Sequence, residues 1–268
     1  MHTTAITGRT GLYVIIADPI HHVKTPQVVN RTFVERRIDG VLVPLHVPPG
    51  RLAQAMDGLR AIENLKGFVV TVPHKTAAVT LCDRLTPDAE LIGAVNCIRR
   101  ETDGQLVGAM LDGIGFVEGF LGAGHVLKEK EVCLLGAGGA AKAIAFAVAA
   151  QGPARLSIFN RSATNAEDLA RRVRARFPTL DIRTGTPDVA EGEVLINATA
   201  LGMHAGDPLP LPVERLRPEM TIAEIIMDPA ETALMAAARQ AGARVHPGLP
   251  MLEAQAVLMA RHMGAPGV

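Results

Sequence analysis

Short runs of β-branched and aliphatic residues alternate with segments of helical periodicity along most of the 268-residue chain. Strands that alternate with helices are typical of parallel β-sheets covered by helices, so the sequence predicts an α/β fold. A second strand–helix series begins near residue 112, which predicts two domains, 1–111 and 112–248. We expect the C-terminal helix, within 249–268, to return to the first domain. The predicted strands are 11–16, 41–46, 68–72, 94–99, 105–109, 131–135, 156–160, 193–197 and 221–227.

Capping and turn signals mark where several of these elements begin. Thr25-Pro26 and Thr86-Pro87 each place a hydroxyl residue before a proline, which is typical of an N-cap followed by the first helical residue. Asp103-Gly104 lies between two predicted strands and indicates a hairpin turn. The predicted helices cover 26–38, 51–65, a short segment after 86, the segment that ends near 150, 165–177, 229–241 and 251–263.

The balance of charge argues against a polyanionic partner. The chain has 27 basic and 27 acidic residues and a formal net charge of +0, so neither nucleic acid nor an anionic membrane is the expected partner.

Three cysteines without C-x-x-C spacing disfavour a disulfide framework and a zinc site. The chain opens without a basic and apolar leader, and its longest apolar stretch, 132–150, contains Lys142 and glycines. We therefore expect a cytoplasmic protein, a monomer or homodimer, that binds small molecules and no metal.

Residues 136–141 read Gly-Ala-Gly-Gly-Ala-Ala and have the form G-x-G-x-x-A. They follow an apolar predicted strand and open a predicted helix, the context in which this pattern indicates a dinucleotide site. The first glycine permits a tight turn, the second lets the backbone approach a pyrophosphate, and the small sixth residue lets helix and strand pack closely. The helix N-terminus would face the phosphates. The alternative is an ordinary strand-to-helix turn.

The end of the next predicted strand bears on the choice of nucleotide. An NAD-selective site usually has an Asp or Glu there, which binds the ribose hydroxyls. This chain has Asn160 at that position, followed by Arg161. A carboxylate would repel a 2′-phosphate, whereas a guanidinium can pair with it, so NADP is favoured and NAD remains possible. The alternative is that Arg161 is a solvated surface residue.

A lysine and an aspartate are candidates for acid–base chemistry. Lys75 lies where a predicted strand ends and a helix begins, and Asp112 lies at the predicted domain boundary. Such a pair suits an alcohol dehydrogenase without metal, because the lysine can shuttle the hydroxyl proton while the carboxylate orients it. On the residues alone, a surface lysine and a turn aspartate are the alternative. His74 is either an assisting group or a packed imidazole.

Several motifs together resemble the shikimate dehydrogenase family. They span residues 11 to about 264 in the family's order. The matching segments are Val-Thr-Val-Pro-His-Lys at 70–75, Cys-Asp-Arg-Leu-Thr-Pro at 82–87, Ile-Gly-Ala-Val-Asn at 92–96, Asp-Gly-Ile-Gly-Phe at 112–116, the glycine loop at 136–141, Asn-Arg-Ser at 160–162, Ile-Asn-Ala-Thr at 196–199, Gly-Met at 202–203 and Gly-Leu-Pro-Met-Leu with Gln255 at 248–255.

The resemblance implies an N-terminal substrate domain and a doubly wound, Rossmann-type nucleotide domain, with the active site in the cleft between them. It implies reversible hydride transfer between NADP and shikimate or a related polyol acid, giving 3-dehydroshikimate, in aromatic amino acid biosynthesis. Lys75 would be the catalytic acid–base and Asp112 its partner. The residues implied to bind substrate are Thr25, Thr71, Asn96 and Gln255. Those implied to bind the cofactor are Gly136, Ala137, Gly138, Gly139, Ala140, Asn160, Arg161, Ser162, Thr199, Met227 and Gly248.

The chain departs from the family pattern at residues implied to lie near the substrate. Val23 replaces a serine that helps bind the substrate carboxylate, Val69 replaces an asparagine, Met227 replaces a tyrosine and Pro250 replaces a glycine. Losing one hydrogen bond to the substrate would cost roughly 1–3 kcal/mol. Lys24 is either an electrostatic substitute or a flexible surface residue. Quinate and aminoshikimate therefore stay open as substrates, as does a catalytically weak sensor of NADP or a polyol acid.

Overall fold

The computed structural model describes residues 5–185 and 192–266, which form two compact units. The first unit comprises Met1–Leu111 and Leu252–Val268, and the second comprises Asp112–Met251. The second segment of the first unit begins at Leu252, within the last helix, which spans Leu249–His262.

Twelve strands and eight α-helices alternate along the described residues. The strands are β1 Gly11–Ala17, β2 Gly40–His46, β3 Leu65–Val70, β4 Arg84–Leu85, β5 Cys97–Arg100, β6 Leu106–Ala109, β7 Glu131–Leu135, β8 Arg155–Phe159, β9 Asp181–Thr184, β10 Val194–Asn197, β11 Thr221–Glu224 and β12 Arg244–His246. The helices are α1 Thr25–Glu35, α2 Leu52–Arg60, α3 Pro87–Ile92, α4 Asp112–Gly122, α5 Gly139–Ala149, α6 Ala163–Arg176, α7 Ala233–Gln240 and α8 Leu249–His262.

The first unit is built on a six-stranded sheet in the order β2-β1-β3-β5-β6-β4. Strands β1, β2 and β3 are parallel, and β5 is antiparallel to both of its neighbours. The predicted hairpin joins β5 and β6, with Gly104 at φ 84° and the Gln105 N–H bonded to the Asp103 carboxylate. The core is mainly aliphatic, and its buried phenylalanine and tyrosine residues are Phe68 and the contacting pair Tyr13 and Phe33, whose ring centroids are 4.9 Å apart.

The second unit is built on a six-stranded sheet in the order β12-β11-β10-β7-β8-β9, in which every pairing is parallel. Numbered within the unit, this is the order 6-5-4-1-2-3 of a doubly wound nucleotide-binding fold. The chain reverses its direction of winding between β7 and β10, the two central strands. Ligands of such sheets bind at the carboxyl ends of the strands near that switch point.

Several predicted elements end earlier than expected, among them one strand and one helix that end three or more residues early. The strand predicted over 221–227 ends at Glu224, because the carboxylate of that residue accepts the N–H groups of the next two residues. The helix predicted over 51–65 ends at Arg60, since the chain from Leu65 onward pairs in the first sheet.

Some elements begin differently or were not predicted. Helix α1 includes Thr25, and Lys24 holds the N-cap position without a side-chain cap. The predicted cap at Thr86 is confirmed, since its side chain accepts the Ala89 N–H. Helices α6 and α7 begin after Ser162 and Thr232 rather than at 165 and 229, because the hydroxyls of those residues cap them. Helix α4 and the edge strands β4, β9 and β12 were not predicted. In the part of the chain that the structure describes, no helix is long and apolar enough to cross a membrane.

Candidate functional site

The parallel strands β1, β2 and β3 end at one edge of the first sheet, where hydrogen bonds join the loops that follow them. The Thr71 N–H donates to the Ile16 carbonyl at 3.0 Å, and the Asp18 N–H donates to the Val72 carbonyl at 3.2 Å. The His46 Nε2 lies 2.7 Å from Asp18 Oδ1. These loops, residues 17–25, 46–47 and 71–75, form a connected surface that we call the first carboxyl edge.

Three of the predicted substrate and catalytic residues meet at this edge. The Val95 N–H donates to the Lys75 carbonyl at 2.8 Å, and the Val70 N–H donates to the Asn96 carbonyl at 2.9 Å. Because Val70 precedes Thr71, these bonds bring Thr71, Lys75 and Asn96 onto the same edge. Thr71 carries a hydroxyl, Lys75 an amine and Asn96 an amide, and groups of these kinds suit a ligand with several hydroxyl groups.

Asn96 is held firmly within this group. Its side chain is 2% exposed, and its Oδ1 accepts the backbone N–H of Leu111 at 2.8 Å. The carbonyl of an amide side chain has two lone pairs, and its NH₂ group has two donors. The hydrogen bond to the Asn96 side-chain carbonyl therefore fixes the position of Leu111, the residue before Asp112.

His74 is a packed residue rather than a group exposed to a ligand. Its side chain is 1% exposed, and Nε2 lies 2.8 Å from the carbonyl oxygen of Val47. Since a carbonyl only accepts, Nε2 carries the proton and donates it. The imidazole thus anchors the segment before Lys75 to the end of β2.

Thr25 and Gln255 lie on two helices that contact each other. Thr25 opens α1 and is 7% exposed, and Gln255 lies in α8 and is 4% exposed. Arg31 of α1 donates to the Glu253 carboxylate of α8 at 2.7 Å. The two predicted substrate residues therefore have buried side chains on neighbouring helices.

The two valines that depart from the family pattern differ in their surroundings. Val69 is 2% exposed within β3, where it pairs with Cys97 of β5. At the position where the family has an asparagine, this chain therefore has an apolar core residue. Val23 is half-buried in the loop before α1, and its N–H donates to the Ile20 carbonyl at 3.2 Å. Only Val23 thus removes a polar group from a loop of the first carboxyl edge.

Asp112 is the first residue of α4 and is 3% exposed. The helix that it opens packs tightly, because a Cβ added at Gly113 would lie 2.2 Å from the Ala143 carbonyl oxygen of α5. Only glycine permits this approach, so Gly113 allows the start of α4 to pack closely against α5. Asp112 directly follows Leu111, the residue that donates to Asn96.

In the second unit, the glycine loop has the form that a dinucleotide requires. Gly136 has φ 115°, and a Cβ there would lie 2.6 Å from the Ala198 carbonyl oxygen. Gly138 is the exposed N-cap of α5, and a Cβ there would meet nothing within 4 Å among the described residues. The loop therefore leaves open space before the N-terminus of α5, a helix of 11 residues. A helix N-terminus favours the binding of an anion.

The adjacent loop after β8 carries Asn160 and Arg161. The Gly136 N–H donates to the Phe159 carbonyl at 2.7 Å, which places this loop beside the glycine loop. Asn160 turns back and donates to the Ser162 carbonyl, and Ser162 caps α6. Arg161 is exposed, and no carboxylate among residues 5–185 and 192–266 pairs with it.

The remaining predicted cofactor residues follow β10, β11 and β12. Thr199 and Met227 are half-buried, and Gly248 is buried. Since all strands of the sheet are parallel, these residues lie at the same edge as the glycine loop. We call this surface, residues 136–140, 160–162, 198–203, 225–227 and 247–248, the second carboxyl edge.

Comparison with known proteins identifies the family. The model of the shikimate dehydrogenase substrate-binding domain matches residues 15–98, and the shikimate/quinate 5-dehydrogenase model matches residues 122–204. A shikimate dehydrogenase (NADP(+)) of Rubrobacter xylanophilus is 40% identical over 96% of this chain and 92% of the relative.

The chain belongs to the shikimate dehydrogenase family. It is thus a member of a family of oxidoreductases. The crystal structure of a shikimate dehydrogenase in complex with NADP+ is similar with a TM-score of 0.88 and 31% identity, covering 98% of this chain and 93% of that one. A ligand-free 5-ketofructose reductase of Gluconobacter sp. strain CHM43 is similar with a TM-score of 0.84 and 30% identity, covering 96% and 94%.

The motifs of this shikimate dehydrogenase family member did not reveal one polar cluster of the second carboxyl edge. Glu224, Asn197 and Thr232 are each no more than 1% exposed and are joined by hydrogen bonds. The sequence signal for it is a charged residue within the apolar run 222–226. That signal is weak, because it does not identify the partners, Asn197 27 residues before Glu224 and Thr232 eight residues after it.

Proposed function

We propose that this family member is an NADP-dependent shikimate dehydrogenase that interconverts shikimate and 3-dehydroshikimate. The observation that carries the proposal is the meeting of Thr71, Lys75 and Asn96 at the first carboxyl edge. A ring that carries several hydroxyl groups needs such paired polar side chains, because a buried polar group without a partner is costly.

Lys75 is the proposed acid–base residue. In the oxidation, Nζ takes the proton from the hydroxyl group as the hydride leaves the same carbon, and in the reduction Nζ returns it. Asp112 is the proposed partner of the lysine and orients the hydroxyl. Thr71, Asn96, Thr25 and Gln255 bind the remaining hydroxyls and the carboxylate.

The second carboxyl edge fits a dinucleotide, which supplies the nicotinamide ring that accepts or donates the hydride. Gly138 leaves the space for a pyrophosphate, and the N-terminus of α5 faces it. Arg161 supplies the positive charge for a 2′-phosphate, and Asn160 adds no negative charge. We therefore assign the cofactor as NADP rather than NAD, with Thr199, Met227 and Gly248 as further contacts.

The proposal is tested by following the absorbance of NADPH at 340 nm with shikimate, quinate and aminoshikimate, each with NADP and with NAD. We expect reduction of NADP with shikimate at the highest kcat/KM of the panel. Reduction only with quinate or aminoshikimate would change the substrate assignment and leave the dehydrogenase assignment intact. Binding of NADPH with no turnover of any substrate would indicate a sensor instead.

A second candidate is the reduction of a neutral polyol ketone. Val23 favours it, since a valine on the first carboxyl edge cannot bind a carboxylate through a side-chain hydrogen bond. The similar 5-ketofructose reductase is named for such a substrate. Adding 5-ketofructose and NADPH to the panel distinguishes the two functions. We expect shikimate to be preferred, because Thr25 and Lys24 remain beside Val23.

A further inference from the structure

Glu224 is a buried carboxylate that is surrounded by donors. Its side chain is 1% exposed at the end of β11. Oε1 accepts the backbone N–H groups of Ile225 at 2.9 Å and Ile226 at 3.1 Å. Oε2 accepts the Asn197 amide at 2.9 Å and the Thr232 hydroxyl at 3.1 Å. All four contacts are donors, which favour the ionised carboxylate, whereas burial opposes ionisation and raises the pKa of Glu224 above its ordinary value.

Through Asn197, this carboxylate fixes the loop after β10. The Asn197 amide also donates to the Leu201 carbonyl at 3.2 Å, and its Oδ1 accepts both the N–H and the hydroxyl of Thr199. The Thr199 hydroxyl in turn accepts the Leu201 N–H. Thr199 therefore has its position set by a continuous chain of hydrogen bonds from Glu224.

Glu224 also fixes the loop after β11, because its carboxylate bonds to the two residues that follow it, and the loop after β12 packs against those two residues. A Cβ added at Gly248 would lie 2.5 Å from the Ile226 carbonyl oxygen and 2.9 Å from that of Ile225. The segment 225–226 is the one that bonds to Oε1. The backbone of Gly248 thus rests on the two residues that the carboxylate holds.

The glycine loop joins the same assembly. A Cβ at Gly136 would lie 2.6 Å from the Ala198 carbonyl oxygen, within the loop that Asn197 organises. A Cβ at Gly202 would lie 3.3 Å from Thr232, whose hydroxyl donates to Glu224 and caps α7. Four loops of the second carboxyl edge are therefore connected to the Glu224 carboxylate, either by hydrogen bonds or by packing against residues that it bonds.

We infer that Glu224 is a positioning residue for the nucleotide: it holds the loops that carry Thr199, Met227 and Gly248 in the arrangement that binds NADP. The inference rests on the proposed function, because that function assigns these loops to NADP. Glu224 itself is buried beneath the loops and acts through them. Its loss should therefore weaken nucleotide binding more than substrate binding.

The test measures the dissociation constant of NADPH by its fluorescence, together with the KM for shikimate and the thermal midpoint of each variant. In Glu224→Gln, the amide nitrogen faces two of the four donors, either the two backbone N–H groups or the Asn197 amide and the Thr232 hydroxyl. The hydroxyl can turn to accept from the new amide but an N–H cannot, so at least one hydrogen bond is lost. We expect the dissociation constant to rise at least tenfold while the KM for shikimate stays within about twofold.

Thr232 gives a second, milder test that does not depend on removing the carboxylate. Thr232→Val removes the hydroxyl that donates to Glu224, whereas Thr232→Ser keeps it. We expect severalfold weaker NADPH binding for valine and binding within twofold of the wild type for serine. Thr221→Val, at the opposite end of β11, is the matched control for a buried polar loss and should bind NADPH normally.

The outcomes separate the inference from the proposed function. If the wild type binds NADPH and Glu224→Gln or Thr232→Val lowers the thermal midpoint without weakening NADPH binding, the role is merely structural and the inference is wrong. If the KM for shikimate rises as much as the dissociation constant of NADPH, it is also wrong. A wild type that binds no NADPH would instead overturn the proposed function, and the inference with it.

Discussion

The imidazole of His74 donates its Nε2–H to the carbonyl oxygen of Val47 at 2.8 Å, and the side chain is 1% exposed. This bond joins the end of β2 to the segment immediately before Lys75. The lysine therefore follows a residue whose side chain is fixed in the core. Its own backbone carbonyl is fixed as well, by the Val95 N–H at 2.8 Å.

We expect His74→Leu to impair both stability and turnover. It leaves the Val47 carbonyl without its buried donor, which should lower the free energy of unfolding by about 1–3 kcal/mol. The looser segment around Lys75 should lower kcat/KM for shikimate about tenfold, which is less than the roughly hundredfold loss that a 1 Å misplacement of a catalytic group can cause. His74→Gln, whose amide can replace Nε2–H, should recover most of both losses. An equal loss in the leucine and glutamine variants would contradict the positioning role of this hydrogen bond.

Two glycines of one loop are expected to respond differently to alanine. Gly138→Ala adds a Cβ that meets no protein atom within 4 Å, so the fold should be retained while the approach of the pyrophosphate is blocked. Gly136→Ala forces a Cβ against the Ala198 carbonyl at φ 115°, so it should destabilise the second unit. Thermal unfolding and NADPH titration separate the two effects. A Gly138→Ala protein that binds NADPH as the wild type does would argue against a pyrophosphate at this loop.

Arg161 is expected to set the preference for NADP. Arg161→Ala removes a charged hydrogen bond to the 2′-phosphate, worth about 1.5–3 kcal/mol, so the KM for NADP should rise about tenfold or more. The KM for NAD should not change, because NAD lacks that phosphate. Arg171→Ala, at an exposed residue of α6, is the control for removing a surface charge. Equal changes for NADP and NAD would rule out the proposed role of Arg161.

The stability of the second unit should fall as the solution becomes acidic, in part because of His246. Burial, with a smaller contribution from His125, lowers the pKa of the His246 imidazole to about 4. Its buried Nε2 has no hydrogen-bond partner among the described residues, and its ring packs against Phe116 and Phe120. The folded protein therefore holds this imidazole neutral at a pH where the unfolded chain protonates it.

The sign of the effect follows from proton linkage. Between pH 6.5 and about 4, the unfolded chain binds a proton at this imidazole that the folded protein does not bind. The free energy of unfolding is therefore unaffected by this group above pH 6.5 and decreases as the pH falls through this window. The total loss from this group is on the order of 3 kcal/mol. Chemical denaturation of His246→Leu should show a smaller decrease across the window than the wild type. Parallel pH profiles would mean that His246 does not contribute.

The features that could be predicted from sequence are those encoded within short segments. The strand, glycine turn and helix around 131–150 form a local unit, and Thr86 caps its helix through a residue three positions later. The α/β class followed from the same local patterns. In contrast, β12 has three residues and exists because it pairs with β11, so its short sequence carries little signal of its own.

The residues of the candidate site show the same distinction between features encoded in short segments and features that arise only in the folded chain. Motifs selected Thr71, Lys75 and Asn96, and the structure brings them to one sheet edge. The network around Glu224 could not be predicted, because its partners Asn197 and Thr232 come from other elements and meet only in the folded sheet. The same reason explains Val69: only the pairing of β3 with β5 shows that its position is core.

The most direct test of the proposed function compares the wild type with Lys75→Ala in the reduction of NADP by shikimate, followed at 340 nm. The wild type should reduce NADP, and the variant should lose at least a hundredfold in kcat, the scale of general acid–base catalysis, because no group at Nζ can take the hydroxyl proton. NADPH fluorescence should show that the variant still binds the cofactor. A wild type that leaves NADP unreduced with shikimate, or a variant that turns over at the wild-type rate, would contradict the account.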